Sequence, residues 1–222
     1  VHPALDSIRL IICDLDGTLV NSLPDLSHAL DSMLKEAGFP PAGQEKAAVW
    51  IGNGTRMLVR RALVDAGLAQ GDIDAQLDRY LASFDSHYAK HVCDQSYVYE
   101  GVRDFLHINR EAGFLFAIVT NKPSVFVGPI LETLGIDNIF DVVVGGDELE
   151  AKKPDPVQLH HVCDVLGIDP ESCLMVGDSR NDIQAAKSVP MRSLAVTYGY
   201  NHGEPIELSD PDWLVESLED VV

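Results

Sequence analysis

Apolar positions along the chain follow two rhythms. Short, nearly uninterrupted runs at Ile8–Cys13, Leu115–Val119, Asp141–Val144, Leu174–Val176 and Ser193–Val196 read as strands buried on both faces. Between them apolar residues recur every three to four positions, as at Leu159, Val162, Cys163 and Leu166, which predicts amphipathic helices. Strand and helix alternating in this way predict a doubly wound parallel-sheet (Rossmann-like) α/β core. The rhythm breaks once. Residues 21–97 hold no strand candidate but carry helical stripes, one at Leu26, Leu30, Met33 and Ala37, and a longer one at Ile73, Leu77, Tyr80, Leu81, Phe84 and Tyr88. A segment of that length is too long for a loop and too apolar for disorder. It predicts an inserted α-helical cap domain over 21–97, with the core formed by 1–20 and 98–222. The expected hinges are Thr18–Pro24 and Asp94–Gly101.

Composition narrows the function. The 222 residues carry a formal net charge of −19, which disfavours nucleic acid and anionic membrane surfaces as partners. Small anions stay accessible, because a metal and a few placed cations can reverse the field locally. Cys13, Cys93, Cys163 and Cys173 lack metal-site spacing, and three of them read as small buried hydrophobes. With no apolar run long enough to span a bilayer, a cytoplasmic protein is expected. Starting at Val1, the chain is expected to lack a few upstream residues.

The residues after each strand carry the chemistry. Asp14, Asp16, Gly17 and Thr18 follow the first, and Thr120, Asn121 and Lys122 the second. Lys153-Pro154-Asp155 precedes the helix leading to the fourth, which is followed by Gly177, Asp178, Ser179 and Asp182. In open parallel sheets these strand ends share one rim at the topological switch point. Carboxylates, a hydroxyl and an ammonium gathered there suit phosphoryl transfer: oxygen ligands for a hard cation, a nucleophile, and donors for phosphate oxygens. Asp-Gly alone is common in turns, and Asp178 with Asp182 could simply offset a helix dipole. Two more acids at a rim already holding Asp14 and Asp16 would repel without a cation, so a bound metal is the better account.

In order along the chain, DLDGTL, VTNK, KKPDP and GDSRND resemble the haloacid dehalogenase-like phosphatases, and the helical insert resembles members with an α-helical cap. A nearer likeness to bacterial phosphoglycolate phosphatases runs through WIGNGT, VTNKP, VVGGDE and TYGYN. The family pattern commonly has a small residue and glycine before the last strand, where this chain has Val189-Pro190. The resemblance implies that Asp14 is the nucleophile and Asp16 the general acid and base. It implies that Thr120 bonds phosphoryl oxygens with Asn121 in support, and that Lys153 neutralises the phosphoryl group. It implies a Mg2+ ion on the Asp14 and Asp178 carboxylates and the Asp16 carbonyl, with Asp182 orienting ligands or water.

For the leaving group, Ile51-Gly52-Asn53-Gly54-Thr55 precedes a predicted helix, whose free N–H groups can meet an anion. From spacing alone an ordinary N-cap by Asn53 or Thr55 explains it as well. The resemblance implies instead a specificity loop that meets the substrate's carboxylate, which gives as candidate substrate contacts Thr18, Asn121, Asn53, Gly54 and, among nearby cations, Arg56. Tyr198, Tyr200 and Asn201 are expected to pack or to wall the pocket, and the scattered histidines form no ligand set. The first expectation is hydrolysis of 2-phosphoglycolate, a small anionic phosphomonoester, by a monomer or small homo-oligomer. The alternatives are a phosphatase or phosphomutase for another sugar phosphate and, outside enzymes, a phospho-acceptor switch.

Overall fold

The computed structural model describes residues 2–222. Six parallel strands form the central sheet: β1 (Leu10–Cys13), β4 (Leu115–Val119), β5 (Val142–Val144), β6 (Cys173–Gly177), β7 (Arg192–Val196) and β8 (Trp213–Val215). Their order is β5-β4-β1-β6-β7-β8. The chain thus builds outward from β1 in both directions, and the switch point lies at the carboxyl end of β1.

Strand pleating explains why the sequence shows unbroken apolar runs. Ile11 and Cys13 point into one core layer, with Phe105 and Leu106 of α5 (Val102–Glu111) and Ile130 and Leu131 of α6 (Ser124–Leu134). Leu10 and Ile12 point into the other, with Leu159 and Val162 of α7 (Val157–Leu166) and Ala185 and Ala186 of α8 (Arg180–Lys187). Successive side chains leave opposite faces of a strand, and helices cover both, so every position must be apolar. Cys163 and Cys173 meet in the second layer as free thiols with sulfurs 3.7 Å apart, a proximity that their spacing does not announce.

Helices α1 (Leu23–Glu36), α2 (Gln44–Trp50), α3 (Thr55–Asp65) and α4 (Gln70–Tyr88) bury a separate apolar cluster. Leu26, Leu30 and Met33 of α1 meet Ile73, Leu77, Phe84 and Tyr88 of α4, the stripes that the periodicity marks. Phe126 of α6 joins the cluster from the core side.

The sequence reading needs correction where the two layers join. Val20–Asn21 (β2) and Tyr97–Val98 (β3) pair antiparallel, so the segment read as strand-free has a strand residue at each end. Two residues are too few to show a period. Strand β8, three residues at a sheet edge between Asp212 and Glu216, is a further strand that the sequence reading does not include.

Asp25, in the first turn of α1, fastens the two linkers. Its carboxylate accepts from the Gln95 and Ser96 amides, at 3.0 and 2.7 Å, and from Ser96 Oγ at 2.6 Å. Asp25→Ala would leave the buried Ser96 amide and hydroxyl unpaired at a cost of about 2–4 kcal/mol. Chemical denaturation should show that loss, and unchanged stability would mean that the linkers are held by β2 and β3 alone. Among the described residues no helix is long and apolar enough to cross a membrane.

Candidate active site

Asp14 sits one residue beyond β1, and its amide still donates to Val176 O at 2.9 Å, so the strand ladder places it. Its Oδ1 accepts from the Leu15 amide at 2.7 Å and lies 2.9 Å from Lys153 Nζ. Oδ2 has no protein hydrogen-bond partner among the described residues, which leaves one oxygen oriented and available.

Gly17 allows the acids to converge. Its φ is +90°, and a Cβ there would collide with the Asp178 carboxylate and the Tyr200 ring, so glycine is needed for both backbone and space. Asp16 accepts from Ser22 Oγ at 2.6 Å, while Lys122 Nζ reaches both its oxygens at 3.0 and 3.1 Å.

Lys153 is buried with its ammonium 2.9 Å from Asp14, 2.7 Å from Asp182 and 2.6 Å from Val119 O. Asp182 Oδ2 closes a capping box with Ser179 at the start of α8, so that carboxylate both begins a helix and faces Lys153. Asp178 accepts from Thr18 Oγ1 and the Tyr200 amide, each at 2.8 Å.

Four carboxylates therefore crowd two ammonium groups. Burial, opposed by Lys153 and reinforced by Asp182, pushes the Asp14 carboxyl up to about 7. Burial, with Asp182 and Asp14 alongside, pushes Asp178 up to about 8. Oxygens of Asp14, Asp178 and Asp182 lie within 4.8 Å of one another. An all-oxygen donor set with unbalanced negative charge fits a hard divalent cation such as magnesium.

A model of the haloacid dehalogenase-like hydrolases matches residues 11–196. The chain belongs to that family. It is 47% identical over 211 residues to a phosphoglycolate phosphatase of Pseudomonas putida, covering 95% of this chain and 77% of that one. A phosphoglycolate phosphatase of Colwellia psychrerythraea is 40% identical, with 98% and 97% of the two chains covered. The crystal structure of a predicted phosphoglycolate phosphatase from Haemophilus somnus superposes with a TM-score of 0.91 at 38% identity, over 97% and 96% of the two chains.

Within this member of the haloacid dehalogenase-like hydrolases, the structure gathers Asp14, Asp16, Thr120 and Lys122 on the core wall of one narrow cleft. Leu26, Ile51 and Leu58 form the cap wall, with Gly52, Gly54 and Thr55 between. Thr120 is buried, and its Oγ1 accepts from the Lys122 amide at 3.2 Å, which leaves its hydroxyl proton for another acceptor.

Three substrate contacts expected from sequence need correction. Thr18 is fully buried and spends its hydroxyl on Asp178. Asn53 Oδ1 accepts from Arg61 at 2.7 Å, and Arg61 also donates to Trp50 O, so this pair shapes the loop from within. Arg56 is exposed and pairs with Asp78 at 2.9 Å, because the first turn of α3 points that side chain at α4 rather than into the cleft.

Asn121 lines the cleft, but its Nδ2 is engaged by carbonyls, Gly52 O and Lys153 O, each at 2.9 Å. Asn181 also donates to Gly52 O, at 3.1 Å, so two core asparagines pin the cap loop. Gly54 caps α3 and faces the cleft.

Sequence reasoning gave no role to Lys122, Ser22, Gln158 or Asn181. Gln158 bonds Lys153 N, Thr120 O and Gly145 O, tying three loops together. Its one signal was a polar residue in the first turn of an otherwise apolar-striped helix. Tyr198 and Tyr200 hold the segment after β1: their hydroxyls donate to Thr18 O at 2.7 Å and to Asn21 Oδ1 at 2.9 Å.

Proposed function

We propose that the chain is a magnesium-dependent phosphatase that hydrolyses 2-phosphoglycolate to glycolate and phosphate through an aspartyl-phosphate on Asp14. The observation that carries this reading is the placement of two differently partnered carboxylates two residues apart. Asp14 keeps one oxygen free beside Lys153, and Asp16 stands next to it on Ser22 and Lys122.

Asp14 Oδ2 attacks phosphorus, a bond forms to that oxygen, and the bond to the glycolate oxygen breaks. Asp16 delivers a proton to the departing oxygen, then accepts one from the water that attacks the aspartyl-phosphate. That second displacement releases phosphate and restores the Asp14 carboxylate. Thr120 Oγ1 donates to a phosphoryl oxygen, and Lys153 offsets its charge. Magnesium held by Asp14 and Asp178 would draw negative charge from the phosphoryl oxygens. The cap helices keep bulk water from the cleft.

The relatives named phosphoglycolate phosphatase support the choice of substrate. The small cleft and its apolar cap wall agree with a two-carbon leaving group. The test is a panel of phosphomonoesters assayed for phosphate release with magnesium and with a chelator. 2-Phosphoglycolate should lead in kcat/KM, and the chelator should abolish turnover. A hexose phosphate in the lead would assign the site to another sugar phosphate.

A further inference from the structure

The leaving group proposed above carries a carboxylate, and the cation expected from sequence to meet it, Arg56, faces Asp78 instead. Arg60 pairs with Asp74 and Arg61 holds the Trp50–Asn53 turn, so neither is free for the cleft. Lys153 is surrounded by Asp14, Asp182 and Val119 O. Lys152 rests against Gly54 but does not line the cleft.

Lys122 differs from all of these. Its side chain is only 1% exposed, yet it lines the cleft beside Asp16. Two of its N–H groups go to Asp16, and its ammonium lies 4.8 Å from the centroid of the Tyr88 ring on cap helix α4. Besides Asp16, the Tyr88 phenol is its polar neighbour, a neutral group that leaves Asp16 as the anion paired with this ammonium. Core and cap thus hold between them a desolvated ammonium with one anionic partner among the described residues, Asp16.

Covalent geometry supplies the rest. In 2-phosphoglycolate the bridging oxygen is joined through one methylene to the carboxylate. With phosphorus at Asp14 and the bridging oxygen at Asp16, the carboxylate carbon is two bonds from an oxygen beside Asp16, and Lys122 is the cleft ammonium that touches Asp16.

We propose that Lys122 is the specificity-determining residue of this site, the cation that receives the substrate's carboxylate at the seam between core and cap. The inference rests on the phosphoglycolate reading. A charged hydrogen bond in a desolvated cleft gives selectivity because a substrate without the carboxylate leaves the ammonium only partly paired.

The full chain, with magnesium, is assayed on 2-phosphoglycolate and on ethyl phosphate, which has the same length but no carboxylate. The kcat/KM ratio of the two substrates should fall roughly 10- to 150-fold in Lys122→Met, chiefly through KM for 2-phosphoglycolate. Lys122→Arg should recover part of the ratio. Lys122→Gln, which keeps a hydrogen bond to Asp16 without the charge, carries the same expectation if the methionine variant does not fold. Losses in equal proportion on both substrates would overturn the proposal, since Lys122 would then serve Asp16 alone. A ratio that collapses in Lys152→Met but survives in Lys122→Met would transfer the role to Lys152. A wild-type ratio near one would sink the phosphoglycolate reading itself, whereas a high wild-type ratio untouched by Lys122→Met would sink only this inference.

Discussion

Asp14→Asn should lower kcat on the order of 10⁴-fold or more, with the protein folded and at least as stable as the parent. The amide keeps the size and can still accept from the Leu15 amide, but it lacks the anionic oxygen that attacks phosphorus. The stability expectation has a separate physical basis. Burial and Asp182 already oppose ionisation of Asp14, and the substitution removes one of the carboxylates crowding Lys153. Asp182 remains to balance that ammonium. A residue whose removal destroys activity while relieving electrostatic strain is retained for chemistry rather than for the fold. Phosphate release measures the first effect and thermal melting the second. Acid quenching during turnover adds a third readout, since wild type should carry acyl-phosphate and the variant none. Full activity in Asp14→Asn would remove the covalent route.

The distribution of legible and illegible features follows from their range along the chain. Strands buried on both faces must be apolar at every position, so β1, β4 and β6 stood out, and the rim residues followed from their carboxyl ends. Motif residues sit where short stretches of backbone place them, which is why Asp14, Asp16, Thr120 and Lys153 were found together and converge in one site.

What the sequence hid depends on contacts between distant segments. Nothing near residue 56 says that its side chain meets Asp78 on a helix that begins fourteen residues later, nor that Lys122 meets both Asp16 and Tyr88. Tyr198 and Tyr200 were ambiguous for the same reason: a tyrosine after a strand packs or bonds according to which segment arrives beside it, and here that segment carries Thr18 and Asn21. Thr18 is an instructive case. A hydroxyl next to two rim carboxylates invites a substrate role, but its orientation is set by Asp178, 160 residues away.

Lys153→Met should be the most destabilising single substitution at the rim. It removes the ammonium from between Asp14 and Asp182 and leaves both carboxylates buried without their counter-charge. Breaking a buried pair in this way costs about 3–5 kcal/mol. For a chain of this length that corresponds to a melting temperature lower by roughly 6–20 °C. The pH dependence separates this cause from lost packing.

Folded Asp14 and Asp178 hold their protons up to about 7 and about 8. An unfolded aspartate releases its proton near about 3.9. Between these limits the metal-free folded state binds more protons than the unfolded state, so stability falls as pH rises. Metal-free wild type should therefore melt higher at pH 6 than at pH 8. Without Lys153 the attraction that favours ionised Asp14 is gone, so the decline should steepen and extend to higher pH. Magnesium should raise the wild-type melting temperature more at pH 8 than at pH 6, because protons and cation compete for the same oxygens. A Lys153→Met protein that melts at the wild-type temperature, with the wild-type pH slope, would show that the rim charges are balanced by something other than this lysine.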